Sequence, residues 1–319
     1  VGSEMCIGDR LKLFILLFLI LPVNNSKAIG GLEIPDIGGG IGDLLGDGSK
    51  EKKNGVSSEK KSDTKKESSP LSSGLGIIKT LTEEETIEEE LESGKIYASQ
   101  LLGAVKLYQN EEVNKYVNEI GRHIANHTAR PDLPWTFAVL DTDGINAFAA
   151  PGGYIFLTKG LMSILSTEDE LAAVIGHEIA HVIKKHHYNV IKKQKMIQFG
   201  TEAISSATDN EIVGKLSGMM GQIMARGLDK ESEYEADIDG MVISARSGYD
   251  ASSLMAVLEK LQILKERKDE GMSFMTATHP TPFDRQSYLA EHITDELMEL
   301  SNPSPKSERI KSIQAQIKK

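Results

Sequence analysis

The stretch Val174 to His187, VIGHEIAHVIKKHH, limits what this chain can fold into more than any other. Thr167 followed by Glu170 has the capping-box pattern of a helix start. Leu171, Val174, Ile175, Val182 and Ile183 then supply one apolar face. The spacing predicts an amphipathic helix that carries two histidines. His177 and His181 are four residues apart, so their rings point the same way and can grip one ion at about 2.0–2.1 Å per nitrogen. Glu178 stands one step round the helix, close enough to take a proton from a water on that ion without being aimed at the ion. On a continuous helix His186 falls roughly half a turn from His177, and both it and His187 are expected at the surface.

Two imidazoles make half of a catalytic zinc site, which needs three protein ligands and an open position. Downstream, KESEYEADIDG offers Glu231, Glu233 and Glu235. A helical pair four apart puts Glu233 and Asp237 on one face, with Glu231 and Glu235 pointing elsewhere. That favours Glu233 only weakly, because acidic runs are usually solvated faces.

Around these motifs the chain divides by composition. Its 319 residues leave room for about two domains, and a hydrophobic fraction of 39% suggests that part of it is not packed. Arg10 and Lys12 precede an apolar run, Leu13 to Val23, that is shorter than the roughly 20 residues a bilayer needs. With SKA ending at Ala28, residues 1–28 read as a secretory signal peptide, the other reading being an uncleaved anchor. The single Cys, Cys6, precedes the apolar run, so the exported chain is expected to have no disulfide and no thiol ligand. Residues 29–78 are rich in Gly, Ser and Lys and are expected to remain a disordered linker. A formal charge of -11, with no basic stripe, argues against nucleic acid as a partner.

Helices are expected from near Leu81 and over Glu111 to Asn126, where Val113, Tyr116, Val117, Ile120 and Ile124 keep helical spacing. WTFAVLD (Trp135 to Asp141), NAFAA (Asn146 to Ala150) and YIFLT (Tyr154 to Thr158) read as a small strand meander with tight turns. This places the histidine helix after a sheet, which argues against a merely solvated helix. The charged residues 301–319 are expected to form a loosely held helix.

Four segments in this order, NAFAAPGGYIFLTKGL, ELAAVIGHEIAHV, ESEYEAD and THPTPFDR, resemble the HtpX and CAAX-prenyl-protease family of zinc metallopeptidases, of the gluzincin type. The likeness is greatest to its soluble, exported BepA-like branch and spans roughly Glu92 to Ala290. It implies an α+β fold over residues 79–300: a mostly helical, zincin-like domain with a small three-stranded sheet beside the active-site helix. It also implies that Glu233 is the third ligand of one zinc ion, preferred over other divalent metals, and that Asp237 orients a ligand. His279 would occupy a resting metal position or face the oxyanion, and Arg285 would stabilise that anion. Two departures stand out. This sequence has neither the helical repeats of BepA-like members nor the transmembrane helices of the other branches.

The implied reaction is peptide-bond hydrolysis. Zinc on His177, His181 and Glu233 would polarise the scissile carbonyl and acidify a water. Glu178 would take the proton and pass it to the leaving amine. A substrate would lie extended along an exposed edge of the strands, with Asn146 fixing the turn and Pro151, Gly152 and Gly153 keeping the backbone close. Unfolded or misassembled envelope polypeptides are the expected substrates, in the periplasm or on the outer side of the cytoplasmic membrane. The competing reading is a chaperone-like binding protein whose zinc is structural or blocked by His279.

Overall fold

The computed structural model describes residues 86–201, 227–272, 275, 278–301 and 307–317. The signal peptide and linker expected over residues 1–78 lie outside them. The described residues begin with α1 (Ile87–Ala104) and α2 (Glu111–Ala125), capped by the Thr86 and Asn110 side chains. Strands β1 (Thr136–Leu140), β2 (Ala147–Ala150) and β3 (Tyr154–Thr158) follow, then α3 (Lys159–Ile164) and α4 (Glu168–Ile183). After α4 come α5 (His186–Thr201), α6 (Lys230–Arg246), α7 (Ser253–Glu266), α8 (Pro282–His292), α9 (Asp295–Glu299) and α10 (Ser307–Ile317). The architecture is α+β and mostly helical, with one small sheet among the described residues.

The expected strands form, but not as a meander. Their order is β1-β3-β2, with β1 parallel to β3 and β2 antiparallel to it. Only the β2–β3 turn is a hairpin. Gly152 and Gly153 make that turn with φ of 76° and 100°, a region open chiefly to glycine. The outer edge of β1 is closed by side chains and loop backbone. Val139 donates its N–H to Asn114 Oδ1 at 2.9 Å, Asn118 Nδ2 donates to the Phe137 carbonyl, and the Tyr108 N–H reaches the Val139 carbonyl at 2.8 Å.

Helix α4 is more deeply placed than an amphipathic surface helix, because every residue from Glu168 to Val182 is buried. Helix α6 packs along it, β2 lies beside it, and α2, α7 and α10 cover its remaining sides. The charged tail does not hang loosely. Ile310 and Ile313 of α10 join the main core, and Gln314 Nε2 donates to the Met162 carbonyl at 2.8 Å. Among the described residues no helix is long and apolar enough to cross a membrane.

Candidate active site

Helix α4 starts as its sequence predicts, with Thr167 Oγ1 accepting the Glu170 N–H at 3.2 Å. Two turns further on, His177 and His181 face the same way, and their Nε2 atoms stand 3.0 Å apart. Glu233, one turn into α6, reaches both of them. Its Oε2 lies 3.7 Å from His177 Nε2 and its Oε1 3.7 Å from His181 Nε2. His279, in the loop before α8, sets its Nδ1 2.8 Å from Glu233 Oε2. Ligand atoms of His177, Glu233 and His279 all lie within 4.8 Å of one another.

The outer partners decide what this cluster can bind. Asp237 Oδ1 lies 2.9 Å from His177 Nδ1, so the carboxylate takes that N–H and leaves Nε2 as a bare lone pair. A bare imidazole nitrogen and a carboxylate turned on the same point repel one another unless a cation lies between them. Four ligands at about 2.0–2.1 Å around a tetrahedral ion stand roughly 3.3 Å apart, which the separations of 3.0 and 3.7 Å bracket. The donor set therefore fits zinc.

Glu178 is buried against the same cavity, which is lined also by Asn146, Ala147, Phe148, Ala149, Tyr97, His181, His187, Glu233 and His279. Burial pushes the Glu178 carboxyl up and Glu233 adds to that, while His177, His279 and Arg285 oppose it. Burial also works against ionised Glu233, yet His279 and then His177 and Arg285 outweigh it and hold it at about 2. For His279 the sign reverses: burial disfavours its cation, but Glu233 raises its pKa.

Asn146 keeps its backbone tied to Thr158 at 3.0 Å in both directions. Its side-chain amide is buried with neither Oδ1 nor Nδ2 hydrogen-bonded, so it does not fix the turn. Pro151, Gly152 and Gly153 do not line the cavity. They lie buried at the far end of β2, where a Cβ on Gly152 would meet Leu91 Cδ2 at 2.9 Å and one on Gly153 would meet Trp135 at 3.3 Å.

Arg285 turns to Asp237 and does not line the cavity. Its Nε donates to Asp237 Oδ2 at 2.9 Å and its Nη2 to Oδ1, so the buried guanidinium is committed to holding the carboxylate that holds His177. His186 and His187 are not surface residues either. Helix α4 ends at Lys184, Lys185 turns through φ 58°, and α5 starts afresh at His186. That break brings His186 back to His181, with their Nδ1 atoms 2.9 Å apart, and sets His187 in the cavity wall. Burial is the main cause that lowers His187 to about 4. Nothing in the periodicity announces a helix break at Lys184-Lys185, and Tyr97 is likewise without a sequence signal.

Glu90 likewise carries no signal in the sequence. It is almost wholly buried, accepts from Arg130 at 2.9 and 2.8 Å, and accepts the Gly152 N–H at 3.2 Å. The ion pair ties α1 to the loop before β1, and the Gly152 hydrogen bond pins it to the hairpin that carries β2.

Residues 111–293 match the family model for peptidase family M48. Over 215 residues the chain is 27% identical to the β-barrel assembly-enhancing protease of Escherichia coli (strain K12), a match covering 63% of this chain and 43% of that one. It is 31% identical over 195 residues to metalloprotease LoiP of the same organism, covering 59% of this chain and 72% of LoiP. Against mitochondrial metalloendopeptidase OMA1 of Schizosaccharomyces pombe it is 26% identical over 186 residues, covering 56% of this chain and 53% of the relative. The chain thus spans less than half the length of the assembly-enhancing protease it matches. It belongs to peptidase family M48, a family of zinc metallopeptidases.

Proposed function

We propose that this chain is an endopeptidase in which His177, His181 and Glu233 hold one zinc ion and Glu178 is the general base. The observation that carries the reading is the convergence of two imidazole nitrogens and one carboxylate at 3.0 to 3.7 Å, with Glu178 in the same cavity. Zinc held there would polarise the scissile carbonyl and acidify a water. Glu178, its affinity for a proton raised by burial, takes the proton and delivers it to the leaving amine. Asp237 keeps the His177 Nδ1–H engaged, and Arg285 holds Asp237 in place.

The substrate lies extended along β2. Within the sheet β2 pairs only with β3, and Asn146 to Ala149 line the cavity, whereas the outer edge of β1 is sealed by α2. The unpartnered Asn146 amide offers both a donor and an acceptor to a substrate peptide group. Pro151 to Gly153 act at one remove, by setting the course of β2. Strand pairing selects backbone shape over side chains, which suits unfolded or misassembled polypeptides. The apolar run at residues 13–23 and the name of the assembly-enhancing relative support substrates in the cell envelope.

His279 favours a second reading. Its contact with Glu233 suits a blocked site in a chaperone-like protein that binds unfolded chains without cutting them. The Glu178→Gln variant separates the two. On the first reading it binds one zinc like the wild type but loses casein cleavage by at least 100-fold, the lower end of general-base effects of about 10²–10⁴. Unchanged cleavage in that variant removes this site from the reaction. An inert wild type that still prevents aggregation of an unfolded client supports the blocked site.

A further inference from the structure

The structure assigns Glu235 and His186 to a relay that sets the ring of His181 for metal, by holding its proton on Nδ1. This inference rests on the zinc reading above.

His177 and His181 are oriented by different means. His177 has a carboxylate directly on its Nδ1, at 2.9 Å. His181 has another imidazole there, with His186 Nδ1 at 2.9 Å. Two facing ring nitrogens share one proton, so what His186 does depends on its far side. There its Nε2 meets Glu235 Oε2 at 3.1 Å. Glu235 is half exposed and paired with Lys184 at 2.6 Å, so it is an ionised carboxylate, which only accepts. His186 therefore carries its proton on Nε2 and presents a lone pair at Nδ1. His181 must then donate from Nδ1, which leaves its Nε2 bare, 3.0 Å from His177 Nε2 and 3.7 Å from Glu233.

The chain keeps this arrangement at a cost. Lys185 adopts a φ of 58° without being glycine, and only that break turns His186 back onto the helix it has just left. A left-handed residue with a side chain is disfavoured, so the contacts beyond it must over-determine the turn. Lys184, on the same break, fixes Glu235 from the other side at 2.6 Å.

The test is zinc affinity of the metal-free protein, read by competition with a chromogenic chelator, with the melting temperature of the metal-free form as control. His186→Phe keeps the ring and removes both nitrogens. It is expected to weaken zinc binding about 10–100-fold without a matching fall in metal-free melting temperature. His186→Gln, whose side-chain oxygen can accept from His181 Nδ1, is expected to recover most of that affinity. Glu235→Ala should weaken binding in the wild type and add nothing on top of His186→Phe, as links of one chain do. Wild-type affinity in His186→Phe overturns the relay, as does a Gln variant no better than the Phe one. A wild type that takes up no zinc at all overturns the metal site itself, which the other outcomes leave standing.

Discussion

Gly240 lies so close to His177 that a methyl group on it would stand 2.7 Å from the His177 amide nitrogen and 2.8 Å from its Cα. Gly176 returns the contact, since a Cβ there would meet the Gly240 carbonyl oxygen at 2.7 Å. Helices α4 and α6 thus touch backbone to backbone where they pass. Only at that separation do the short arms of Glu233 and Asp237 reach the two imidazoles. Gly240→Ala must force the helices apart and is expected to cost about 1–3 kcal/mol and to weaken zinc binding as well. Thermal melts and a zinc titration check this; an alanine variant with unchanged metal affinity rules out the close crossing as the source of the site's geometry.

Asn146 separates stability from activity. Its buried amide has no partner to lose, so Asn146→Ala should leave the melting temperature unchanged or slightly higher. Cleavage should nonetheless fall, by roughly the 1–3 kcal/mol of a buried hydrogen bond left unmade. A melting temperature that drops along with kcat/KM would mean that the amide serves the fold rather than a substrate.

The Glu90–Arg130 pair should behave oppositely. Glu90→Gln leaves the guanidinium without its counter-charge and loosens the Gly152 turn. Breaking a buried pair costs about 3–5 kcal/mol. Because Arg130 keeps a fifth of its side-chain surface in water, about 2–3 kcal/mol is expected here, after discounting for screening. Chemical denaturation measures it, and a loss below about 1 kcal/mol, the surface-pair range, would show that the pair does not anchor α1.

The His279–Glu233 contact predicts a pH profile for the metal-free protein. Glu233 sits below its ordinary 4.5, at about 2, so its share of stability is complete above 4.5 and is lost as pH falls toward 2. His279 is raised above 6.5, so its share is complete below 6.5 and is lost as pH climbs through the raised value. The pair contributes most between about pH 4.5 and 6.5. His279→Gln should flatten the alkaline limb of melting temperature against pH, and an identical profile in that variant would mean that the contact contributes nothing.

Much of the site was legible because it is local. The i, i+4 pair of His177 and His181, the Thr167 cap and the three strands each follow from spacing within one segment. The reading failed where a single backbone angle or an encounter between distant segments decides. A continuous helix would carry His186 away from His181, and one left-handed turn at Lys185 returns it. Three strands with tight turns suggest a meander, yet β3 inserts between its predecessors.

By itself, then, the amino-acid order determined which side chains share a face, since helical and extended periods are properties of neighbours along one chain. It also determined the α+β character and the i, i+4 pair of imidazoles, and its ordered motifs pointed to Glu233. Tertiary structure alone decided how closely Glu233 approaches the imidazoles, that Arg285 pairs with Asp237, and that the Asn146 amide is left without a partner. These depend on how closely two helices approach and on what fills the space between them, and packing of that kind leaves no periodic trace in a sequence.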